Sequence, residues 1–473
     1  MRQLTGHDAS FLYSDTLHAN SNVTFVQIYD QSTAPGGRVR FKSILAHIES
    51  RLHRSPIFRS KLLRVPLELD YPYWVEDEHF DLEYHVRHIA LPEPGDWRQF
   101  CIQASRIHAR ALDLNRPLWE IYVIEGLDSI VDLPAGSFAL LTKIHHAAVD
   151  VESHNEIIDV LHDTRRRPAR PEPAEPWFPE SPPPAISLMV RGLVSLMLSP
   201  LRMIEPLVRF APAARAFARD VLRPEYPANA TRFNSVVSSH RVFDTRRFAL
   251  DEFESIRRLV PGATLDDAVL AVCAGGMRRY LGRHSELPEV DLTALFTAAD
   301  IPGRSVALGT TRADPLERLA LIRNRDTQTE NPGRTGGGQI LDSCTITRLP
   351  GPAAPLYLGG ARMTYFSAIL PISDGTGLAF AVTRYDGRVV VSPTSCRELM
   401  PDPEAFTQCV RDSFQEYLAL ARPVAAPAAK PRSAAPRGSA SGKRSRAALP
   451  ARTAATVLQL VKDGRRRSRA RRR

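Results

Sequence analysis

The sequence predicts an α/β protein built from two similar halves. Short apolar runs of strand length alternate with longer runs of helical period, and this alternation occurs twice along the chain. Between the two blocks, residues 164–184 are rich in Arg, Pro and Glu, a composition that cannot pack a core and is typical of a linker. With 473 residues, the chain is long enough to form two or three hydrophobic cores.

The first block covers residues 1–163. Its predicted strands are 23–29, 119–125 and 138–145, and its predicted helices are 41–52 and 99–111. The segment 164–232 holds the linker and then a largely apolar stretch, 186–210, which is interrupted by Arg191, Pro200, Arg202 and Pro206. These residues argue against a membrane span. Two interpretations stay open: an amphipathic helix lying on a membrane or over the protein's own groove, or a helix packed at the domain interface.

The second block covers residues 233–422. Helices are predicted at 250–259, 264–281 and 402–420, and strands at 292–297, 343–347, 378–385 and 388–393. The tail 423–473 is rich in Ala, Pro, Arg and Ser, and we expect it to be disordered.

The tail accounts for the basic character of the chain. It has 15 Lys and Arg residues and one acidic residue, Asp463, so it carries +14 and the remainder carries −4 of the total +10. The folded body therefore gives no sign of a specific nucleic-acid surface. For the tail we weigh electrostatic tethering to an anionic membrane against nonspecific nucleic-acid binding and against a solvated extension without a partner.

Targeting signals and cysteine pairs are not evident. The first 15 residues lack the basic-then-apolar pattern of a signal peptide, and the five cysteines show no regular spacing. We therefore expect a cytoplasmic protein without disulfides or a metal site, which could touch the inner membrane or lipid droplets from outside.

A histidine pair is the strongest candidate for chemistry. His145 and His146 end a predicted strand, Asp150 follows four residues later, and the spacing from Ser153 to Glu156 predicts a helix start. Alternation along the strand places His146 on the face of Leu140, Thr142 and Ile144. A neutral imidazole can remove a hydroxyl proton near neutral pH, whereas a thioester is already activated. The motif thus suits acyl transfer from a thioester to an alcohol, without a metal or cofactor.

Five ordered segments carry a resemblance to a known family. They are 8–12 (DASFL), 115–120 (NRPLWE), 267–271 (DAVLA) with 278–281 (RRYL), 349–352 (LPGP) with 355–358 (PLYL), and 378–388, which ends in YDGR. With the histidine motif, they resemble the bacterial wax ester synthase/diacylglycerol acyltransferase family over residues 4–421. The resemblance implies two chloramphenicol-acetyltransferase-like α/β sandwich domains with the active site at their interface.

The resemblance also implies roles for residues. His146 would be the general base, with His145 and Asp150 as structural support. Asp266 and Asp267 stand where the family has an Asn-Asp pair, and they are predicted to contribute to substrate binding. The implied substrates are acyl-CoA and either diacylglycerol or a long-chain alcohol. Two alternatives stay open: a related acyltransferase or condensation-type enzyme with another acceptor, and a non-catalytic lipid-associated protein.

Several positions depart from the family pattern. Val151 replaces the usual Gly after the motif Asp, and a β-branched residue is strained if that position needs a positive φ. Asp266 replaces Asn and, as an anion, would repel a developing oxyanion. Thr347 and Arg348 replace a Ser-Asn pair. The region 299–314 is shorter than in the family and is expected to lack the strand that carries a Gly-Asn pair.

Overall fold

The computed structural model describes residues 1–130, 132–148, 154–167, 177–198, 228–299, 301–324 and 341–422. Within the contiguous unit Met1–Pro423, two large sheets and a small third sheet carry helices on their faces. Predictions for Asp150, Val151, Ser153, residues 201–210 and the tail 423–473 lie outside the described residues.

The first large sheet holds the histidine motif. Its strand order is β13-β14-β2-β7-β6-β5. The strands are β2 (Asn22–Asp30), β5 (Val86–Ala90), β6 (Trp119–Glu125), β7 (Phe138–His145), β13 (Tyr357–Leu358) and β14 (Ala361–Ile369). Strand β2 is antiparallel to β7 and pairs Asn22 with His145. Strand β6 lies on the other side of β7 and pairs Trp119 with Ile144.

The second large sheet has the strand order β11-β10-β12-β15-β16-β8, and β9 also pairs with β16. These strands are β8 (Arg241–Phe243), β9 (Arg246–Ala249), β10 (Thr293–Ala298), β11 (Ile301–Ala307), β12 (Asp342–Leu349), β15 (Ala379–Tyr385) and β16 (Arg388–Cys396). A small sheet of order β1-β4-β3 is formed by β1 (Arg2–Gln3), β3 (Ser60–Leu63) and β4 (Tyr73–Glu76).

A strand exchange joins the two halves. Strands β13 and β14 come late in the sequence, yet β14 is antiparallel to β2 and pairs Ile369 with Thr24. The first sheet therefore takes its edge from the second half. Sequence reasoning missed this strand because a pairing between residues more than 300 positions apart leaves no local pattern.

The helices cover the sheets and close the cores. They are α1 (Gly6–Ser14), α2 (Phe41–Glu49), α3 (Leu82–His85), α4 (Trp97–Ala109), α5 (His154–Leu161), α6 (Ala185–Leu198), α7 (Leu250–Arg257), α8 (Leu265–Arg283), α9 (Pro315–Asn324) and α10 (Pro403–Ala421). Leu140 and Ile144 of β7 pack into the largest core, while Ala139 and Leu141 face the core beneath α4. This alternation is the one predicted for β7. All five cysteines are buried and unpaired.

The predicted α/β architecture is confirmed. The predicted strands and helices within the described ranges occur with their bounds shifted by a few residues. The short region 299–314 contains β11, antiparallel to β10, and the sequence of this strand, IPGRSVA, has no Gly-Asn pair. Alternating apolar and polar residues from Ser305 to Leu308 place Val306 in the core and stabilise this hairpin.

The apolar segment begins with a helix that leaves part of its apolar surface exposed. Leu188 of α6 is buried, and Gly192 lies close to Val65 and Leu69. Ile186, Val190, Leu193 and Val194 are instead 72%, 52%, 43% and 48% exposed. In the described part of the chain, no helix combines the length and apolar character required to cross a membrane.

Candidate active site

The histidine pair sits where a central strand turns out of its sheet. Strand β7 ends at His145, and His146 begins a short 3-10 turn, His146–Ala148. The backbone N–H of His145 donates to the Leu118 carbonyl at 3.0 Å, and that of His146 donates to the Ser21 carbonyl at 2.8 Å. The sequence had predicted that His146 continues the face of Leu140, Thr142 and Ile144. Because β7 ends at His145, the strand alternation does not extend to His146, whose ring stacks on Phe11.

His145 is a buried structural residue. Its side chain is 1% exposed, and its Nδ1 accepts the Ala147 backbone N–H at 3.1 Å. The proton of the neutral ring must then be on Nε2, which donates to the Asp15 carboxylate at 3.0 Å. Both ring nitrogens are thus engaged in holding the turn. His145 therefore connects the loop before β2 to the turn that carries His146.

Asp15 is a supporting residue that the sequence analysis missed. One carboxylate oxygen accepts from His145, and the other accepts the Ser21 backbone N–H at 2.8 Å. The Ser21 carbonyl in turn accepts a hydrogen bond from the backbone N–H of His146. Asp15 therefore links both histidines to the loop before β2. Its separation of 130 residues from His145 explains why no spacing pattern could reveal it.

His146 is half-buried and lies against an aromatic ring. Its imidazole stacks on Phe11 with ring centroids 3.9 Å apart and an interplanar angle of 28°. Phe11 belongs to α1, whose first turn is capped by the Thr5 hydroxyl. The segment 8–12, the first of those that carry the family resemblance, thus supplies the ring that stacks on His146. Of the two histidines, His146 is the one that retains solvent access.

The segment with Pro117, Leu118 and Trp119 lies next to the strand that ends at His145. Trp119 is buried, donates its indole N–H to the Phe58 carbonyl at 3.0 Å and stacks against His85. Together with the Leu118 bond to His145, these contacts fix the strand next to the motif. The segment is therefore held on both sides, by the histidine strand and by the residues around Phe58 and His85.

A buried ion pair lies behind the motif. Lys143 is fully buried, and its ammonium lies 2.9 Å from the Glu120 carboxylate. It also donates to the carbonyls of Ile107 and Arg110. Burial lowers the pKa of Lys143, while the Glu120 carboxylate favours its charged form. These bonds tie β7 to β6 and to the end of α4.

Asp267 caps a helix in the second half. Its side chain accepts the Thr264 backbone N–H at 2.8 Å, and its own N–H donates to the Thr264 hydroxyl at 3.1 Å. This capping box begins α8. The carboxylate is thus engaged in a helix cap, a role that the prediction of substrate binding had not included.

Asp266 lies next to another departure from the family pattern. The Arg348 guanidinium on β12 lies 3.4 Å from its carboxylate. The cation at 348 offsets part of the negative charge that Asp266 brings to this position. The two replacements form one ion pair between the start of α8 and the sheet.

The two halves approach each other at the histidine strand. Strand β14 of the second half pairs with β2, which pairs with β7. Since neighbouring strands lie about 4.8 Å apart, a second-half strand runs about 10 Å from the histidine strand. The histidines are therefore at the boundary between the halves. Within the described ranges, no three His, Cys, Asp or Glu side chains form a group that could hold a metal ion.

Relatives share most of the chain. An O-acyltransferase of Acinetobacter baylyi is 30% identical over 73% of this chain and 83% of its own length. A Mycobacterium tuberculosis protein named as a candidate diacylglycerol O-acyltransferase is 30% identical over 88% of this chain and 89% of its own.

Solved structures show the same fold. A wax ester synthase/diacylglycerol acyltransferase from Marinobacter aquaeolei superposes with a TM-score of 0.66 at 23% identity, covering 89% of this chain and 99% of the other. A starter condensation domain of rhizomide synthetase gives a TM-score of 0.50 at 14% identity, covering 89% and 94%.

Two family descriptions cover both halves. Residues 4–269 match the wax ester synthase/diacylglycerol acyltransferase catalytic domain, and residues 342–417 match the C-terminal domain of the same family. The first match alone spans more than half of the chain. The protein is therefore an acyltransferase that belongs to the wax ester synthase/diacylglycerol acyltransferase family.

Proposed function

We propose that the enzyme moves a long-chain acyl group from acyl-CoA to the hydroxyl of diacylglycerol or of a long-chain alcohol, with His146 as the general base. The observation that carries this assignment is the contrast between the two histidines. His145 is buried with both ring nitrogens engaged, whereas the His146 ring is half-buried and stacks on Phe11 at the end of the strand, so part of it remains accessible. The names of the relatives support the acceptor class.

The reaction needs one proton acceptor and a positioned thioester. The neutral His146 imidazole takes the proton of the acceptor hydroxyl as its oxygen attacks the thioester carbonyl. The tetrahedral intermediate then expels the CoA thiolate, and the imidazolium returns the proton to that sulfur. An ester and free CoA result, and the protein forms no covalent intermediate.

The decisive experiment is a radiolabelled acyl-CoA assay against a panel of diacylglycerols, fatty alcohols and amines. We expect ester formation, and His146→Ala should lower kcat at least about 100-fold, the usual scale for losing a general base. His7→Ala, which removes another histidine near Phe11, is the matched control and should retain turnover. A folded His146→Ala enzyme with wild-type kcat would disprove the base assignment. Transfer to amines alone would favour a condensation-type enzyme.

We further propose that the enzyme works from the cytoplasm, peripherally at the inner membrane or at lipid droplets. Its acceptors dissolve in lipid, so it must approach such a surface. Helix α6 supports this location because one side packs on Val65 and Leu69 while Ile186, Val190, Leu193 and Val194 stay exposed. An exposed apolar stripe of this kind inserts into a lipid interface. The basic tail 423–473 would add electrostatic attraction.

Co-sedimentation with anionic and neutral liposomes separates these two contributions. Val190→Glu with Val194→Glu should weaken binding to both kinds of liposome, because charge opposes burial in lipid. Removing residues 423–473 should weaken binding to anionic liposomes only, and only at low salt. Arg38→Glu with Arg40→Glu, two exposed changes before α2, is the control. Unchanged binding in both test proteins would refute the lipid contact.

A further inference from the structure

A cavity separate from the histidine turn lies between residues of the two halves. It has a volume of about 700 Å³ and is lined by the C-terminal part of α4, by β8 and by the start of α10. Ligand sites typically occupy about 300–1,000 Å³, so the cavity is large enough for a substantial part of a cofactor-sized molecule. It takes no part in the histidine chemistry described above.

The lining of this cavity has an excess of positive charge. Arg98, Arg106, Arg110, Arg241 and Arg397 line it, together with three carboxylates. One carboxylate, Asp244, is already occupied by Arg246 at 2.9 Å and by the Trp97 indole at 2.8 Å. Glu404 lies 3.7 Å from Arg98. Among the described residues, Arg106, Arg110 and Arg397 form no ion pair, so their charges are available to an anion.

Arg241 places a further positive charge in the wall. The residue is 8% exposed, and its guanidinium donates to two backbone carbonyls, those of Ser238 and His18, the latter at 2.9 Å. In the described part of the chain it has no carboxylate within ion-pair distance. Burial lowers the pKa of Arg241, and the more distant Asp374 and Glu398 carboxylates offset this only in part, so a bound anion would stabilise the buried charge further.

The start of α10 adds backbone donors to the same wall. Residues 403–405 line the cavity and form the first turn of this 19-residue helix, in which Glu404 and Ala405 have backbone N–H groups and Pro403 has none. The side chain of Asp402 does not cap the helix. The first N–H groups of a helix and its dipole favour phosphate groups. The arginines and the helix start thus surround one space.

The cavity wall is connected to the histidine turn. The Arg241 guanidinium donates to the carbonyl of His18. His18 lies in the loop between Asp15 and Ser21, and this loop supports both histidines. On the other side, Asn22 donates to the Arg110 carbonyl at 3.1 Å, and its strand partner is His145. These contacts place the cavity wall next to the loop and the strand end that carry the histidines.

We propose that this cavity binds the phosphate-bearing nucleotide end of the thioester donor, which resembles 3′,5′-ADP, while the flexible arm of the donor reaches His146. This inference rests on the proposed function. The cavity explains how a donor with several negative charges is recognised by a folded body whose net charge is slightly negative. The arginines act on binding and leave the chemical step to the histidine turn.

Binding of 3′,5′-ADP measured by calorimetry tests the site directly. Arg106→Glu with Arg397→Glu changes two exposed rim residues and should weaken binding at least tenfold, since charge-assisted contacts to phosphate are replaced by repulsion. Arg38→Glu with Arg40→Glu carries the same charge change away from the cavity and should bind as the wild type does. Equal affinity in the two double variants would overturn the proposal.

Kinetics with two donors distinguish this site from the reaction itself. For acyl-CoA, the rim variant should raise KM at least tenfold with kcat little changed; for an acyl-pantetheine, which lacks the nucleotide, KM should be unaffected. An equal KM rise for both donors would refute the nucleotide site while leaving the reaction intact. Absence of any acyl transfer, with 3′,5′-ADP binding still lost in the rim variant, would refute only the proposed reaction.

Binding to phosphatidic acid vesicles tests whether the cavity takes a lipid headgroup. If the rim variant lost binding to these vesicles but still bound 3′,5′-ADP, the cavity would be a headgroup site, contrary to the proposal.

Discussion

The histidine turn of the first half and the start of α8 in the second half are held by charges in different surroundings. Behind the histidines, Lys143 and Glu120 are buried, and His145 is enclosed between Asp15 and the Ala147 N–H. At the start of α8, the ion pair of Asp266 and Arg348 has side chains that are 22% and 35% exposed. Buried polar groups must keep their partners, whereas a partly hydrated pair can exchange them for water.

This difference indicates which side of the site tolerates replacement. On the histidine side, one change leaves a buried group without its partner, so the residues there must change together or not at all. On the α8 side, two positions differ from the family pattern and compensate each other as an ion pair. The helix itself is retained because its cap uses Thr264 and Asp267, which do not depend on Arg348.

The largest expected effect is on the buried pair. Lys143→Met should lower the free energy of unfolding by about 2–4 kcal/mol, because the buried Glu120 carboxylate loses its nearest cation and retains Arg87, at 3.4 Å, and the Tyr122 hydroxyl. Urea unfolding followed by circular dichroism measures the change. Lys42→Met, an exposed residue on α2, serves as control and should change it by less than about 0.5 kcal/mol. If Lys143→Met and Lys42→Met lowered the free energy of unfolding by similar small amounts, the buried pair would tolerate replacement as well as the α8 side does.

A smaller effect should appear as a pH dependence on the histidine side. His108 of α4 is buried against Thr24 of β2, and burial, then Arg241 and Lys143, lower its pKa to about 3. The unfolded chain therefore binds a proton first as the pH falls. The stability associated with the neutral ring is complete above about pH 6.5 and is lost progressively toward pH 3, by about 2 kcal/mol at pH 5.

His108→Gln removes this titration and retains a side chain that can bond to Thr24. The stability advantage of the wild type over the variant should shrink by about 2 kcal/mol between pH 7.5 and pH 5, as measured by urea unfolding. His79→Gln, at an exposed position, should show no such change. A constant difference across this range would mean that the folded protein accommodates a protonated His108.

The sequence predicts the local features of the histidine side, but it does not predict the contacts that distant residues make there. Periodicity identified β7, and the chemistry of imidazole identified His146, because both signals are local. Asp15 and the edge strand β14 could not be found this way, since their partners are 130 and more than 300 residues away. The relation between Asp266 and Arg348 is likewise a contact between distant segments. Each position taken alone indicated damage, whereas together they form a charge pair.

The smallest expected effect concerns that pair and tests whether it is a true energetic unit. Asp266→Asn and Arg348→Asn should each lower the free energy of unfolding slightly, while the double variant, with two neutral amides, should lose less than the sum. At a separation of 3.4 Å and with this exposure, we expect a coupling of about 0.5–1 kcal/mol that weakens in 1 M salt. The cycle of Arg362 and Asp386, whose side chains are 39% and 40% exposed, provides a comparison with a peripheral pair.

The same four proteins should be assayed for acyl transfer. Since the guanidinium offsets the carboxylate, Asp266→Asn should not raise kcat, and Arg348→Asn should lower it by leaving more negative charge near the start of α8. The double variant should return toward the wild type, because neither charge remains. Additive stability losses together with a higher kcat for Asp266→Asn would contradict this account. Asp266 would then act as a lone anion, and the tolerance of the α8 side would need another cause.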